Sequence, residues 1–455
     1  MTDGTIRTQA AAYERAETLY RRGNAAEDVA VLRELAAELE GPAFEGFRDE
    51  RVRVAQLFLL GRLGTLLSDR DELLALYERL MGPEFAEVRR LDTAHAPACV
   101  IGHLIFLTKD PAEAAALAER LFQEVFDKLP SLQVGVLTAE ALFNVGVLHE
   151  AFDPRLALAE RIEHELFVGL PDASVARHAA AAYANAGVYS EDADQLELLG
   201  AHVIKRFLPC ARAEGGDPGE PPGASENPVS DDVAFGDLDE HEEPDERVAK
   251  RKEAAEAIAL SAALLFGQAL NFAEAPETRT HLFRRIESEL YTEFPTAPIA
   301  ERVAWADYSR AAAGDHGARG TRVLRRQAGL LGRHSDRQLA RASAHASLEA
   351  LPLTVDPDQL LELADTTRSL VLEHDDSPAV AQILAHVYLK AVPHMQAEPD
   401  LGQTALSTAL ELLRTACRDP EIAAYPILGG HLELERFDAG MRDELIRFLQ
   451  EVLPQ

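Results

Sequence analysis

Lysine is nearly absent from this chain. Of 45 basic residues in 455, six are Lys and 39 are Arg, against 77 acidic residues and a net charge of −32. That balance argues against broad binding to nucleic acid, whose phosphates need a cationic surface. Cysteine is scarce too. Cys99, Cys210 and Cys417 are an odd number spread along the chain, which excludes a disulfide framework and makes a reducing cytoplasm the expected location. Trp305 is the only Trp and is expected in the core. Met1 to Thr8 holds no apolar run, so no secretory signal is expected. Long apolar runs are missing as well. The longest uncharged stretch, Ala257 to Ala273, contains Ser261, Gly267, Gln268 and Asn271. A membrane span needs about 20 mostly apolar residues, so a buried core helix is expected there and no membrane insertion. No HExxH, P-loop, GxGxxG or GxSxG stands in its required context. No catalytic residue, cofactor or metal site is therefore expected.

What is present begins with enough apolar residues, 47%, to bury a core. The acidity runs along the whole chain and has two readings. One is an acidic surface for a partner. The other is adaptation to molar salt, where the Debye length is about 3 Å and self-repulsion is screened. An acidic composition nearly free of Lys resembles that of proteins from extreme halophiles, of the haloarchaeal type. The resemblance implies salt-dependent stability, and it makes an acidic cluster a solvated face first of all.

Helix-start signals recur with one period. Asp28, Asp69, Asp110, Asp153 and Asp194 open Ala/Leu-rich amphipathic runs at spacings of 41, 41, 43 and 41. Glu274, Asp315, Asp356, Glu398 and Asp438 resume the ruler at 41, 41, 42 and 40. Several of these residues precede a Pro, as in Asp110-Pro111 and Asp356-Pro357. Asp can cap the free N–H groups of a helix, and Pro loses nothing at the first helical position. Side chains repeat on the same ruler. Arg161-Ile162-Glu163-x-Glu165-Leu166-Phe167 returns as Arg285-Ile286-Glu287-x-Glu289-Leu290-Tyr291, and Asn144-x-Gly146-Val147 as Asn185-x-Gly187-Val188. Two helices fit each period, and no segment alternates with period 2 long enough for a sheet. The expected fold is all-α: an α-solenoid of ten antiparallel hairpins, at about 5–40, 48–81, 92–128, 131–168, 172–208, 247–293, 296–331, 334–373, 377–417 and 419–452. Such hairpins bury their apolar faces by stacking.

The fragment from Phe143 through Asn144, Gly146 and Leu156 to Pro171 resembles the tetratricopeptide repeat, with a small residue in the first helix, Ala/Leu positions in the second and a closing Pro. The period of about 41 falls in the range of HEAT and armadillo repeats. The resemblance implies a protein-interaction scaffold and nothing finer.

One segment breaks the ruler. Residues 211–246 hold thirteen Asp/Glu, five Pro and five Gly, too polar to offset their chain entropy. They are expected to be a disordered acidic linker between an N-terminal half, 1–210, and a C-terminal half, 247–455. The apolar group Val233, Phe235 and Leu238 inside it reads either as plain linker or as a short docking motif.

Several side chains are candidates for a site. Asn144 and Asn185 sit mid-hairpin, where they either hydrogen-bond a bound peptide in a groove or pair with the next repeat. Tyr183, Tyr308 and Tyr388 recur in first helices as groove or packing residues. His95, Cys99 and His103 stand at i, i+4 and i+8. Because i and i+8 lie about 12 Å apart on a helix, one ion reaches only two of them, and core or surface roles are expected. Pro97 places the helix start after His95. The most unusual feature is cationic: Arg319, Arg322, Arg325, Arg326, Arg333, Arg337 and Arg341 with one acidic residue, Asp336, among them. They either pair with acidic neighbours in adjacent repeats or bind an anionic partner. The expected function is a non-enzymatic scaffold binding another protein along the solenoid groove. The alternative is an accessory subunit holding RNA or phosphate at the Arg island. A further expectation is that the acidic segment 211–246 competes for that island from its own chain.

Overall fold

The computed structural model describes residues 6–212, 244–314, 320–350, 357–395, 398–416, 426–427 and 434–452. Helix accounts for 82% of the described residues, and none is in a strand. Among the described residues nineteen helices follow one another in sequential pairs. The first five pairs are α1 (Gln9–Asn24) with α2 (Val29–Glu40), α3 (Glu50–Gly64) with α4 (Arg70–Met81), α5 (His95–Leu107) with α6 (Pro111–Arg120), α7 (Leu132–Leu148) with α8 (Phe152–Arg161), and α9 (Ala173–Gly187) with α10 (Ala193–Arg212). Then come α11 (Pro244–Phe272) with α12 (Pro276–Arg284), α13 (Ala297–Ala312) with α14 (Gly320–Leu331), α15 (Arg337–Ala350) with α16 (Pro357–His374), and α17 (Pro378–Ala391) with α18 (Pro399–Ala416). The last helix is α19 (Ala439–Val452). Nine of the ten expected hairpins are therefore seen, and most of the first helix of the tenth lies outside the described residues. So does 213–243, the bulk of the expected acidic linker.

The caps explain most of these starts. Asp28, Asp69, Asp110 and Asp438 each accept a backbone N–H with a side-chain oxygen, at 2.7 to 2.9 Å. Asp315 and Asp356 lie outside the described residues, Glu274 stands before Ala275, the N-cap of α12, which makes no side-chain cap bond, and two further marks differ. Asp153 and Asp194 lie inside the first turn, and α10 takes its cap bond from Asp192. Inside the first turn an acidic residue still favours the helix start through the macrodipole, so the ruler keeps its period while the cap moves. The helix at His95 is a further difference. It begins at His95 itself, with Pro97 within its first turn, where a missing N–H costs no helix bond.

The side-chain repeat marks a repeated distortion. After α6, α8 and α12 the chain runs into π-helical turns at Leu121–Phe126, Ile162–Phe167 and Arg285–Tyr291. In each, an Arg at the junction pairs with a Glu four residues on: Arg120–Glu124, Arg161–Glu165 and Arg285–Glu289, at 2.6 to 3.0 Å.

The chain divides into two compact units, residues 1–190 with 202–261, and residues 191–201 with 262–455. In the first unit α1, α3, α5, α7 and α9 each pack on the next. Close approach is built into the sequence there: a Cβ on Gly61 would stand 2.8 Å from that of Ala96. In the second unit α13 packs on α15 and α15 on α17, while α14 packs on α16 and α16 on α18. Side chains such as Leu57, Leu59, Phe85 and Phe207 are fully buried, each stabilising by about 1.5–3 kcal/mol.

An arginine ladder joins successive second helices. Arg120, Arg161 and Arg206 reach back to Glu78, Glu119 and Glu163 at 2.8, 2.8 and 3.0 Å. Each also lies over a ring of the preceding pair: Tyr77, Phe122 and Phe167. In the second unit Arg326 does the same with Glu287, at 2.6 Å, and Phe283.

The stretch expected to be a core helix lies in α11. By length and composition Asp245–Phe272 is the one helix among the described residues able to cross a membrane, and 56% of its apolar window is buried within the protein. Its apolar face includes Ile258, Ala262, Leu265, Phe266 and Ala269, all buried.

Candidate interaction site

The arginine island divides in two. Arg319 lies outside the described residues. Arg326 on α14 meets the fully buried Asp307 of α13 as well as Glu287. Gln327 donates to the other Asp307 oxygen at 2.8 Å, and Ser343 Oγ of α15 donates to Gln327 at 3.0 Å. Burial outweighs the attraction of Arg326 and pushes the Asp307 carboxyl up to about 6. Arg337 and Arg341 of α15 share a second carboxylate, Asp375, at 3.1 and 2.7 Å. Asp375 also accepts from the Ser377 backbone N–H at 3.0 Å. Burial opposes its charge, but the bonds from Arg341, Ser377 and Arg337 prevail and bring it down to about 2. Three island arginines thus serve the packing of α13 to α17.

Arg322, Arg325 and Arg333 are different. All three are exposed, and they form no ion pair among the described residues. Gly329 lies between them on the open side of α14, with nothing within 4 Å of where its Cβ would stand. A Gly inside a helix costs about 1 kcal/mol relative to Ala, and no packing contact accounts for it here.

The tyrosines and asparagines mostly face inward. Tyr183 donates to the buried Glu163 at 2.7 Å, and the same carboxylate takes His202 at 2.8 Å and Arg206 at 3.0 Å. Burial opposes the Glu163 charge, yet Tyr183, His202 and Arg206 together hold its carboxyl below the usual range. Tyr388 is fully buried and donates to Asp365. Tyr308 packs edge-on to Trp305 and His345, with ring centroids 5.6 and 5.9 Å away. Asn185 accepts from Arg155 through both its carbonyl oxygen, at 3.0 Å, and its side chain. Asn144 is half-buried and has no side-chain hydrogen bond among the described residues.

Arg155 is a residue that sequence reasoning missed. It is buried, and it donates to the carbonyls of His149 and Val147, at 2.6 and 3.0 Å, as well as to Asn185. Its guanidinium lies 4.1 Å from the Tyr189 ring centroid. One cation therefore ties the C-terminal ends of α7 and α9 together. In sequence it is one more Arg after an Asp-Pro start, and no local signal separates it from the others.

A second feature was partly visible. Phe106, Val147 and Val188 stand at 41-residue intervals, at the C-terminal ends of α5, α7 and α9, and they are 60, 47 and 62% exposed. The repeat Asn144-x-Gly146-Val147 and Asn185-x-Gly187-Val188 carries two of them. Their exposure is a tertiary fact.

The histidine stripe does not converge on an ion. His95 stacks on Phe58 at 5.0 Å, and burial lowers its pKa. His103 bonds the Leu67 carbonyl at 2.9 Å. Burial pushes the Cys99 thiol up to about 11. Among the described residues no group of three or more His, Cys, Asp or Glu is placed to hold a metal. A shallow depression of about 300 Å³ on α12 is lined by Pro276, Glu277, Thr280, His281 and Arg284. No family model matches this chain, and none of the curated proteins matches it.

Proposed function

We propose that this chain is a non-enzymatic scaffold of the tetratricopeptide-like or HEAT-like kind, a cytoplasmic, salt-adapted α-solenoid that binds another protein along its stacked helix pairs. The observation that carries the reading is the arginine ladder. The same Arg–Glu and Arg–ring contacts recur from one pair to the next. Repeated packing sets equivalent outer positions side by side, and such a surface reads an extended or helical segment by geometry. The test is capture on the tagged full chain in molar KCl after nuclease treatment. One protein retained in fixed ratio is expected; retention of none overturns the reading. Salt adaptation predicts a melting temperature that climbs steeply from low to molar KCl, because 77 carboxylates repel most where screening is weakest. A flat profile overturns that part.

A second reading rests on Arg322, Arg325 and Arg333, which lack carboxylate partners among the described residues and flank the open Gly329. Arg pairs readily with phosphate, so this face would hold an anionic ligand, RNA or phosphate. Bound RNA would give the purified protein excess absorbance at 260 nm, and phosphate would show as heat on calorimetric titration; Arg322→Glu with Arg325→Glu should remove either signal. Whether 211–246 competes there is tested by deleting it and titrating the same ligand.

A further inference from the structure

We infer that Phe106, Val147 and Val188 form a docking ridge for a basic amphipathic helix of a partner protein. The inference rests on the scaffold reading and names where and what the scaffold binds.

Single exposed apolar residues are ordinary. These three are not scattered, because they occupy one repeat position in three consecutive first helices. Since α5 packs on α7 and α7 on α9, the helix ends lie side by side along one edge of the first unit. The ends are also held firmly. His103 near the end of α5 bonds the Leu67 carbonyl at 2.9 Å. Arg155 clamps the Val147 carbonyl together with that of Asn185 and supports the Tyr189 ring beside Val188. A buried cation bonded to carbonyls fixes the two ends against fraying, so the ridge is preorganised, which lowers the entropic cost of docking.

Spacing selects the occupant. Packed helices lie about 8–10 Å apart, so the ridge offers three apolar points at that interval. An α-helix rises 1.5 Å per residue, so every seventh residue of a partner helix recurs at about 10.5 Å on roughly one face. Charge selects it further. Beside the ridge, Asp110 and Glu150 in the loops and Asp153 in the first turn of α8 are exposed, against the single Lys109. A helix with an apolar residue at each seventh position and Lys or Arg between meets both demands. The apolar contact also survives molar salt, which screens the ion pairs but does not weaken burial.

The test uses the full chain in molar KCl and a fluorescein-labelled synthetic peptide with Leu at every seventh position and Lys and Arg between. Fluorescence anisotropy gives Kd. The parent chain is expected to bind it, and a peptide of the same composition in shuffled order is expected to bind at least tenfold more weakly. Val147→Ser alone should weaken binding about tenfold, and Phe106→Ser, Val147→Ser and Val188→Ser together by at least a hundredfold. Leu132→Ser, exposed at the opposite end of α7, should leave Kd unchanged. Circular dichroism confirms that each variant is folded, and the single substitutions keep the test decisive where the triple one unfolds. No binding by the parent chain, equal loss in Leu132→Ser, or, at the lowest salt at which the chain stays folded, equal binding of a peptide with Glu in place of Lys and Arg overturns the proposal. So does sedimentation showing a parent dimer that the triple variant dissolves, since the occupant is then a second copy. If a captured protein partner is retained equally by the triple variant, the ridge fails while the scaffold reading stands.

Discussion

Two buried carboxylates, Glu163 in the first unit and Asp307 in the second, are built from the same parts and behave in opposite ways. Each lies beside an arginine of the following second helix that also covers a Phe ring, Arg206 over Phe167 and Arg326 over Phe283. Glu163 has Tyr183, His202 and Arg206 on its oxygens and stays below the usual glutamate range. Asp307 has Arg326 and Gln327, yet its side chain is fully buried, and its carboxyl rises to about 6. Partners alone do not decide whether a buried acid stays charged. The depth at which they are assembled sets the desolvation they must overcome.

The sharpest test removes the arginine from each site. Arg326→Ala removes the guanidinium bonded to the buried Asp307, leaving only the longer-range attraction of Arg310, and should cost about 3–5 kcal/mol in urea unfolding at fixed high salt. A cost near that of an exposed pair would break the comparison. Arg155→Ala deletes a buried cation that bonds only carbonyl and amide oxygens among the described residues. It should cost about 2–3 kcal/mol and speed hydrogen exchange at the ends of α7 and α9. Arg206→Ala should cost only about 1 kcal/mol, because its guanidinium is partly exposed and Tyr183 and His202 remain on Glu163.

The two acids should also show opposite pH signatures. Asp307 holds its proton more tightly folded than unfolded, with a folded value of about 6 against an ordinary 3.8. Its site is therefore most stabilising below about 3.8 and weakens as pH rises to about 6. Glu163 is depressed when folded. Its contribution is complete above the ordinary glutamate value and is lost as pH falls through the folded one. Unfolding free energies of Asp307→Asn and Glu163→Gln relative to the parent, measured across this range, should slope in opposite directions. Parallel slopes would show that both acids share one environment. The smallest effect belongs to Arg322→Glu with Arg325→Glu, which should move stability by no more than about 0.5 kcal/mol. A larger loss would assign these exposed arginines a packing role like that of Arg326.

Much of the architecture was legible along the chain. Asp28, Asp69 and Asp110 both marked the period and cap α2, α4 and α6, because a cap acts on backbone only two or three residues away. The repeated Arg-Ile-Glu-x-Glu-Leu pattern located turns that prove π-helical at Ile162–Phe167 and Arg285–Tyr291, although their hydrogen bonding was not visible in sequence. The site residues were less legible. Seven clustered arginines read as one island, whereas Arg326, Arg337 and Arg341 pair with the buried Asp307 and Asp375, and Arg322, Arg325 and Arg333 have no such partner among the described residues.

By itself, then, the sequence determined helix, period and pairing. Capping, amphipathic spacing and breakers act within a turn or two, and each repeats often enough to be counted. Only the tertiary structure decided which charges meet. With 77 carboxylates for 39 arginines, every arginine has many possible partners along the chain. Packing alone brings Asp307 to Arg326, Asp375 to Arg341, and the Asn185 carbonyl to Arg155. It alone leaves Phe106, Val147 and Val188 uncovered where Tyr183, an equally apolar-faced residue on α9, is buried. An electrostatic or hydrophobic contact depends on distance and burial in space, and a residue's neighbours in sequence specify neither.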